Sequence, residues 1–148
     1  NLLSKEVTIF NYSESSPRPD SSGRNICYKV AKIKAGGLPR FSVGKKSVAH
    51  AVEDFVARAV SRPKPEIDLD PGKCQDFTAH YWLRGPDPAA VVAFLSPDKL
   101  RLIANSRLEG IVATNANYLV YFEFGSLITE QDFDSFIAAV EKIIGMIL

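Results

Sequence analysis

The chain has 148 residues, a net charge of +1 and an apolar fraction of 46%, so residues 1–148 are long enough to bury a core as a single domain. The near-neutral charge excludes a whole-protein field that would attract nucleic acid or acidic membranes. No apolar run approaches the roughly 20 residues that a membrane-spanning helix needs. Cys27 and Cys74 can form one disulfide or remain two free thiols, and composition favours free thiols.

The first part of the chain predicts short antiparallel strands separated by a loop. Residues 5–12 alternate apolar and polar positions, and residues 25–34 do so again. Between them, residues 13–23 hold five serines, two prolines and a glycine, which predicts a mobile loop. Residues 40–43 can form one further short strand, which is optional in the predicted element order.

A first helix is predicted over residues 47–62, because Ser47 is a good N-cap and an apolar stripe follows it. The stripe consists of Val48, Val52, Phe55, Val56 and Val60. Prolines 63 and 65 end this helix. The segment 63–73 is rich in proline and aspartate and predicts a polar connector.

The second part of the chain predicts two strands, a helix and a last strand. Residues 76–84 alternate apolar and polar side chains, which is typical of a half-buried strand. Residues 89–95 are continuously apolar, as expected of a strand that is covered on both faces. A helix then begins behind Ser96 and runs to about Ile111. Residues 118–124 predict the last strand.

The C-terminal stretch is the clearest amphipathic helix in the sequence. Thr129 and Asp132 have the spacing of a capping box, in which two residues satisfy each other's backbone amides. The apolar positions that follow share one helix face: Phe133, Phe136, Ile137, Val140, Ile143, Ile144 and Ile147. Such a face must be buried against a sheet or a partner.

The order of these elements predicts the fold class. Strands precede and separate the helices without a regular strand–helix repeat, which is typical of an α+β domain. We therefore expect a mainly antiparallel, five-stranded sheet with helices on both faces. The helix at 47–62 is expected on one face, and the two later helices are expected on the other.

No chemistry-bearing residues have the spacing of a catalytic or metal site. The two histidines, His50 and His80, form no pair with each other or with a cysteine at zinc-ligand spacing. Asp68 and Asp70 alternate, but the additional oxygen ligands and glycine turn of a calcium loop are missing. We therefore predict no catalytic residue, no metal ligand and no cofactor.

Six basic residues lie between positions 29 and 46: Lys29, Lys32, Lys34, Arg40, Lys45 and Lys46. With Tyr28 and Phe41 nearby, this pattern is typical of a nucleic-acid surface. Lysines also protect an ordinary edge strand from aggregation, and the near-zero net charge favours that interpretation. Contact of the first four basic residues with an acidic membrane surface is a third interpretation.

The element order and several short strings resemble a longin domain, the regulatory fold of some vesicle SNAREs and of related trafficking subunits. The strings are residues 40–43, the helix at 47–62, residues 75–84, and the run at 90–95 with the helix that follows it. The resemblance covers about residues 5–112. No SNARE heptad repeat follows, and a predicted strand and helix occupy residues 118–148 instead.

The resemblance implies a non-enzymatic, cytoplasmic module, peripheral to membranes, that regulates vesicle trafficking by binding a SNARE-type or adaptor segment. In longin domains the short aromatic strand and the first helix form an apolar groove. The residues implied here are Phe41, Val43, Val52, Phe55 and Val56, with Lys45 and Lys46 at its mouth. We expect the strand to have a free edge that accepts the segment. Phe41 is the expected anchor, since buried aromatics are the usual hot spots.

A self-assembling shell subunit is the second interpretation. The strand and helix at 118–148 also resemble the end of small RNA bacteriophage coat proteins, which are symmetric subunits whose sheet binds RNA. That interpretation requires strand, rather than helix, over residues 48–60. It makes RNA and further copies of the chain the partners.

Overall fold

The structure, a computed structural model, describes residues 5–15, 25–48 and 65–148. Its strands are β1 (Val7–Ser15), β2 (Asn25–Lys34), β3 (Ser42–Lys45), β4 (Tyr81–Arg84), β5 (Ile111–Asn115) and β6 (Tyr118–Phe124). Its helices are α1 (Pro71–His80), α2 (Pro88–Phe94), α3 (Pro97–Ser106) and α4 (Phe133–Ile147), and a 3₁₀ turn covers Lys46–Val48. The predicted α+β class is confirmed. The helix predicted at 47–62 lies outside the described residues from position 49 onward.

The strands form one antiparallel sheet in the order β1-β2-β6-β5-β3-β4. The described sheet therefore has six strands, and the predicted number of five is wrong. β5 is the strand that the sequence does not predict, since its first residue, Ile111, is assigned to the preceding helix, whereas the strand predicted at 89–95 is mostly helical. The helix before β5 ends earlier, because Arg107 adopts a left-handed conformation with φ 55° and stops it.

The first half of the strand predicted at 76–84 is helical. α1 begins behind Asp70, whose Oδ1 accepts a hydrogen bond from the N–H of Gly72 at 2.9 Å. An aspartate N-cap followed by proline is a strong helix start, and here it outweighs the period-two alternation. The strand begins only at Tyr81, where β4 pairs with β3.

Residues 89–95, predicted as a covered strand, belong mostly to α2. Asp87 caps this helix, because its Oδ1 accepts a hydrogen bond from the N–H of Ala90 at 3.1 Å. Val91 is buried whereas Val92 is exposed, as a helix on the protein surface requires. A short apolar run does not distinguish strand from helix, and the capping residue decides between them.

α4 buries most of the predicted apolar face. Asp132 precedes the helix, and its Oδ1 accepts a hydrogen bond from the N–H of Thr129 at 2.7 Å, which is one half of the predicted capping box. The buried positions are Phe136, Val140, Ile143, Ile144, Met146 and Ile147. Phe133 is exposed, so the buried face starts one turn later than predicted.

The sheet has two apolar faces. The face that we call the helix face carries Ala31, Ile33, Val43, Leu83, Val112, Leu119 and Tyr121, and all four described helices contribute to the same core cluster. The opposite face carries a second cluster of Tyr28, Val30, Trp82, Ile111, Ala113 and Phe122. The helix expected on this opposite face is the one at 47–62, most of which lies outside the described residues.

Two predicted loops are described only in part. Of the connector predicted at 63–73, residues 65–73 are described: Ile67 and Leu69 are buried in the core, and α1 already begins at Pro71. Of the loop predicted at 13–23, residues 13–15 extend β1. The remainder of that loop lies outside the described residues.

Candidate functional site

The predicted strand at 40–43 has no free edge. β3 pairs with β4 on one side and with β5 on the other, so the expectation of an open edge there is wrong. Phe41 and Val43 are 0% exposed, and the Phe41 ring packs with its centre 6.0 Å from that of Phe94. Both side chains therefore serve the core in this structure. The other apolar groove residues, Val52, Phe55 and Val56, lie outside the described residues.

Lys45 and Lys46 line an open groove of about 610 Å³. Its remaining lining is Ser47, Ala79, His80, Tyr81, Ala104, Arg107 and Glu109. Lys45 Nζ lies 2.5 Å from Glu109 Oε1, and Lys46 Nζ donates to the carbonyl oxygen of Thr78 at 2.6 Å. Both ammonium groups are thus held by acceptors of this chain. Burial raises the pKa of the Tyr81 hydroxyl, which disfavours its ionisation.

The predicted basic cluster is spread over both faces of the sheet. Lys29 lies on the helix face and is 2.7 Å from Asp132 Oδ2, and its hydrogen bond lowers the pKa of that carboxyl. Lys32 lies on the opposite face, with Nζ 3.9 Å from the centre of the Tyr118 ring. Lys34 pairs with Glu6 at 3.1 Å. Arg40 is exposed just before β3.

The groups with catalytic potential are dispersed within the described residues. No three His, Cys, Asp or Glu side chains there are arranged to hold a metal. Cys27 and Cys74 are free thiols. Among the described residues, the pKa of Tyr121 is shifted most: it is raised mainly by burial and further by the hydrogen bond to Glu123. The Tyr121 ring stacks with the Phe136 ring and is buried in the core.

The outer edge of β1 is an end of the sheet to which no described segment is bonded. β1 ends the sheet and pairs with β2. The N–H of Lys34 donates to the carbonyl of Glu6 at 2.9 Å, which identifies the even-numbered residues of β1 as those that bond β2. The backbone groups of Val7, Ile9, Asn11 and Ser13 therefore point outward. Among the described residues, no backbone hydrogen bond reaches them from outside β1.

Exposed aromatic side chains lie beside this edge. Phe10 and Tyr12 are 42% and 41% exposed on the face opposite the helices. The Tyr12 ring is centred 5.8 Å from that of Tyr28, which in turn is 5.3 Å from Phe124. The edge thus continues an aromatic row of the sheet into solvent.

The usual protections of an edge strand are missing from residues 7–13, the larger part of β1. Residues 7–13 contain no charged residue and no proline. The register with β2 runs without a bulge from Val7 to Ser15. Natural edge strands generally carry at least one of these devices, because an open edge accepts another strand.

The helix side of β1 is held in place by Asn11. Its Oδ1 accepts a hydrogen bond from the N–H of Ile128 at 2.7 Å, and its Nδ2 donates to the Ile128 carbonyl at 3.3 Å. This side-chain amide fastens the loop before α4 to the strand. This contact uses the Asn11 side chain and leaves the outward backbone groups of β1 unused.

Comparisons with protein-family models, with curated proteins and with solved structures found no match for this chain. The longin and coat-protein resemblances therefore remain predictions. None of the helices in the described part of the chain has the length and apolar character needed to cross a membrane.

Proposed function

We propose that this protein is a non-enzymatic interaction module that binds an extended polypeptide segment as an added strand at the outer edge of β1. The observation that carries the proposal is the outward-facing backbone of the odd-numbered residues in 7–13, a stretch without charged side chains, beside the exposed rings of Phe10 and Tyr12. In strand addition, backbone hydrogen bonds supply affinity and alternate side chains supply specificity. The edge of β1 offers both.

The longin resemblance supplies the class of ligand to test first, a SNARE-type or adaptor segment acting in vesicle trafficking. The proposed surface differs from the groove that the resemblance implies. β3 already has a strand on each side, and Phe41 is fully buried, whereas β1 ends the sheet. Lys45 and Lys46 are accordingly given no part in this proposal.

Amide hydrogen exchange with defined peptides tests the proposal. The ligands are synthetic SNARE-motif and adaptor-linker peptides, and the control is each peptide N-methylated at alternate residues, which cannot pair through its backbone. We expect binding to slow exchange at the amides of Ile9, Asn11 and Ser13. The amides of Thr8 and Phe10 should change little, since the even-numbered positions already face β2.

Three results would count against this function. The first is the absence of binding by any peptide. The second is protection that falls on the groove of Lys45 and Lys46 instead of β1. The third is binding of an RNA oligonucleotide without binding of peptide, which would favour the shell-subunit interpretation.

A further inference from the structure

We infer that the strand added at this edge is β1 of a second copy of the chain, antiparallel and related by a twofold axis through Asn11. This inference rests on the proposed function, because it names the partner of the same edge. It follows from the register rules of antiparallel strands and from the residues that these rules bring together.

The length of β1 selects the position of the axis. β1 runs from Val7 to Ser15, so a twofold axis at its middle residue, Asn11, pairs the whole strand with itself. Outward-facing residues must meet outward-facing residues, since only these have backbone groups to share. The register meets this condition by bringing Ile9 opposite Ser13 of the second copy.

Positions of the axis nearer the start of β1 are less favourable. An axis at Phe10 brings Glu6 opposite Glu14 of the second copy, and like charges directly opposite each other destabilise a strand pair. An axis at Ile9 leaves the end of β1 opposite residues that precede the strand.

The register also pairs the exposed aromatic residues. Phe10 comes opposite Tyr12 of the second copy, and this contact occurs twice because of the symmetry. These are non-hydrogen-bonded positions, where Cα atoms approach to about 4.5 Å and side chains are closest. Cross-strand aromatic pairs stabilise sheets, so pairing covers two of the large apolar side chains that a single copy exposes.

The charges of β1 do not oppose pairing with a second copy. In this register Glu14 is opposite Thr8, and no like charges oppose each other within β1. Glu6 lies beyond the paired strand and is bonded to Lys34. A second copy always places Thr8 opposite Glu14 and Tyr12 opposite Phe10 in this register. A segment of unrelated sequence does not have these residues at fixed positions.

The size of the contact sets the expected affinity. Nine residues of strand span about 30 Å, which gives an interface at the small end of the range for specific complexes. We therefore expect a reversible dimer. In sedimentation velocity the mass should rise from one chain toward two as the concentration passes through about 1–100 µM.

Two double variants test both the edge and the register. Phe10→Lys with Tyr12→Lys brings like charges opposite each other, and we expect a monomer over the whole range. Phe10→Lys with Tyr12→Glu changes the same residues but brings opposite charges together in the register centred on Asn11, so dimerisation should persist. Val92→Lys with Leu102→Lys adds the same charge at exposed apolar residues of α2 and α3, and should dimerise as the unmodified chain does.

Specific outcomes overturn the inference. Unmodified protein that stays monomeric up to the highest concentration refutes self-pairing, as does equal behaviour of the two β1 double variants. Circular dichroism and thermal unfolding verify that each variant is folded. A monomeric chain in which a peptide still protects Ile9 and Ser13 refutes self-pairing alone, whereas a chain that shows neither dimerisation nor peptide protection refutes the proposed function as well.

Discussion

The two ends of the sheet are treated differently by the chain. At β4 the outer edge is covered by residues 65–67: the N–H of Ile67 donates to the carbonyl of Leu83 at 2.8 Å, and the N–H of Gly85 donates to the carbonyl of Pro65 at 3.1 Å. At β1, no described segment makes bonds of this kind on the outer side. Among the described residues, the edge of β4 is bonded by another segment of the chain and the outer edge of β1 is not.

The cover of β4 depends on the core for its position. Ile67 and Leu69 of this segment are buried, so the segment cannot leave β4 without exposing apolar surface. β1 is supported on its helix side by Asn11 but has no charge, proline or bulge in residues 7–13 to repel another strand. An unprotected edge is a hazard for a monomer, and its retention beside a covered edge favours a role in pairing.

The largest expected loss of stability comes from truncating a buried side chain of the segment that covers the edge of β4. Ile67→Ala removes buried apolar volume, so we expect the free energy of unfolding to fall by about 2–4 kcal/mol. Chemical denaturation measures this loss, and Glu66→Ala, an exposed neighbour, is the matched control with an effect of roughly 0.5 kcal/mol or less. Equal losses in the two variants would mean that the cover is not anchored by its buried side chain.

A smaller effect is expected where the cover meets the strand. A Cβ atom at Gly85 would lie 2.9 Å from Val91 Cγ2, 3.0 Å from the Arg40 carbonyl oxygen and 3.3 Å from Ile67 Cδ1. Gly85→Ala should therefore displace α2, the chain at Arg40 and the cover at Ile67, and cost about 1–3 kcal/mol of stability. Gly36→Ala, where nothing lies within 4 Å of the new atom, is the control. Faster amide exchange at Ile67 in the Gly85 variant would locate the damage at the β4 edge.

At the outer edge of β1, a substitution should change the free energy of unfolding little and weaken self-association clearly. Phe10→Ala removes a side chain that is 42% exposed, so the free energy of unfolding of a dilute monomer should change by about 1 kcal/mol or less. Self-association should weaken clearly, because the cross-strand aromatic pair is lost. Phe133→Ala truncates a ring that is 43% exposed on α4 and should leave association unchanged in sedimentation. If both variants weaken association equally, general surface hydrophobicity rather than the β1 edge holds the copies together.

Local patterns predicted some elements well and the edges not at all. The bounds predicted for β2 and β6 are confirmed, because each apolar-rich run lies between clear turn signals. The segments at 76–80 and 89–94 were mistaken for strand, since an aspartate cap decides a short helix more than its apolar pattern does. Strand order depends on contacts between distant residues. The sequence alone therefore does not reveal that β3 is internal and that β1 ends the sheet.

The smallest expected effect concerns the support beneath β1. Lys29, on the neighbouring strand, is bonded to Asp132, whose carboxyl also accepts from the N–H of Thr129 and so holds the loop that carries Ile128 against Asn11. These contacts lower the pKa of Asp132 from its ordinary value of 3.8. A carboxyl whose pKa is lowered by folding stabilises the folded state at pH values above its ordinary pKa. This stabilisation is lost as the pH falls through the folded-state pKa.

Acid should therefore loosen the support of β1 before it affects the cover of β4. On lowering the pH below 3.8, exchange at the Ile128 amide should accelerate relative to that at Ile67, after correction for intrinsic rates. Asp132→Asn keeps an acceptor oxygen but does not titrate, so it separates Asp132 from the nearby carboxylates of Glu130 and Asp134 in the same turn. In that variant we expect the exchange rate of the Ile128 amide to lose this pH dependence. At higher pH, the variant should show the exchange rate that the unmodified chain shows in acid. An Ile128 amide that responds to acid equally in both proteins would remove Asp132 from the support of β1.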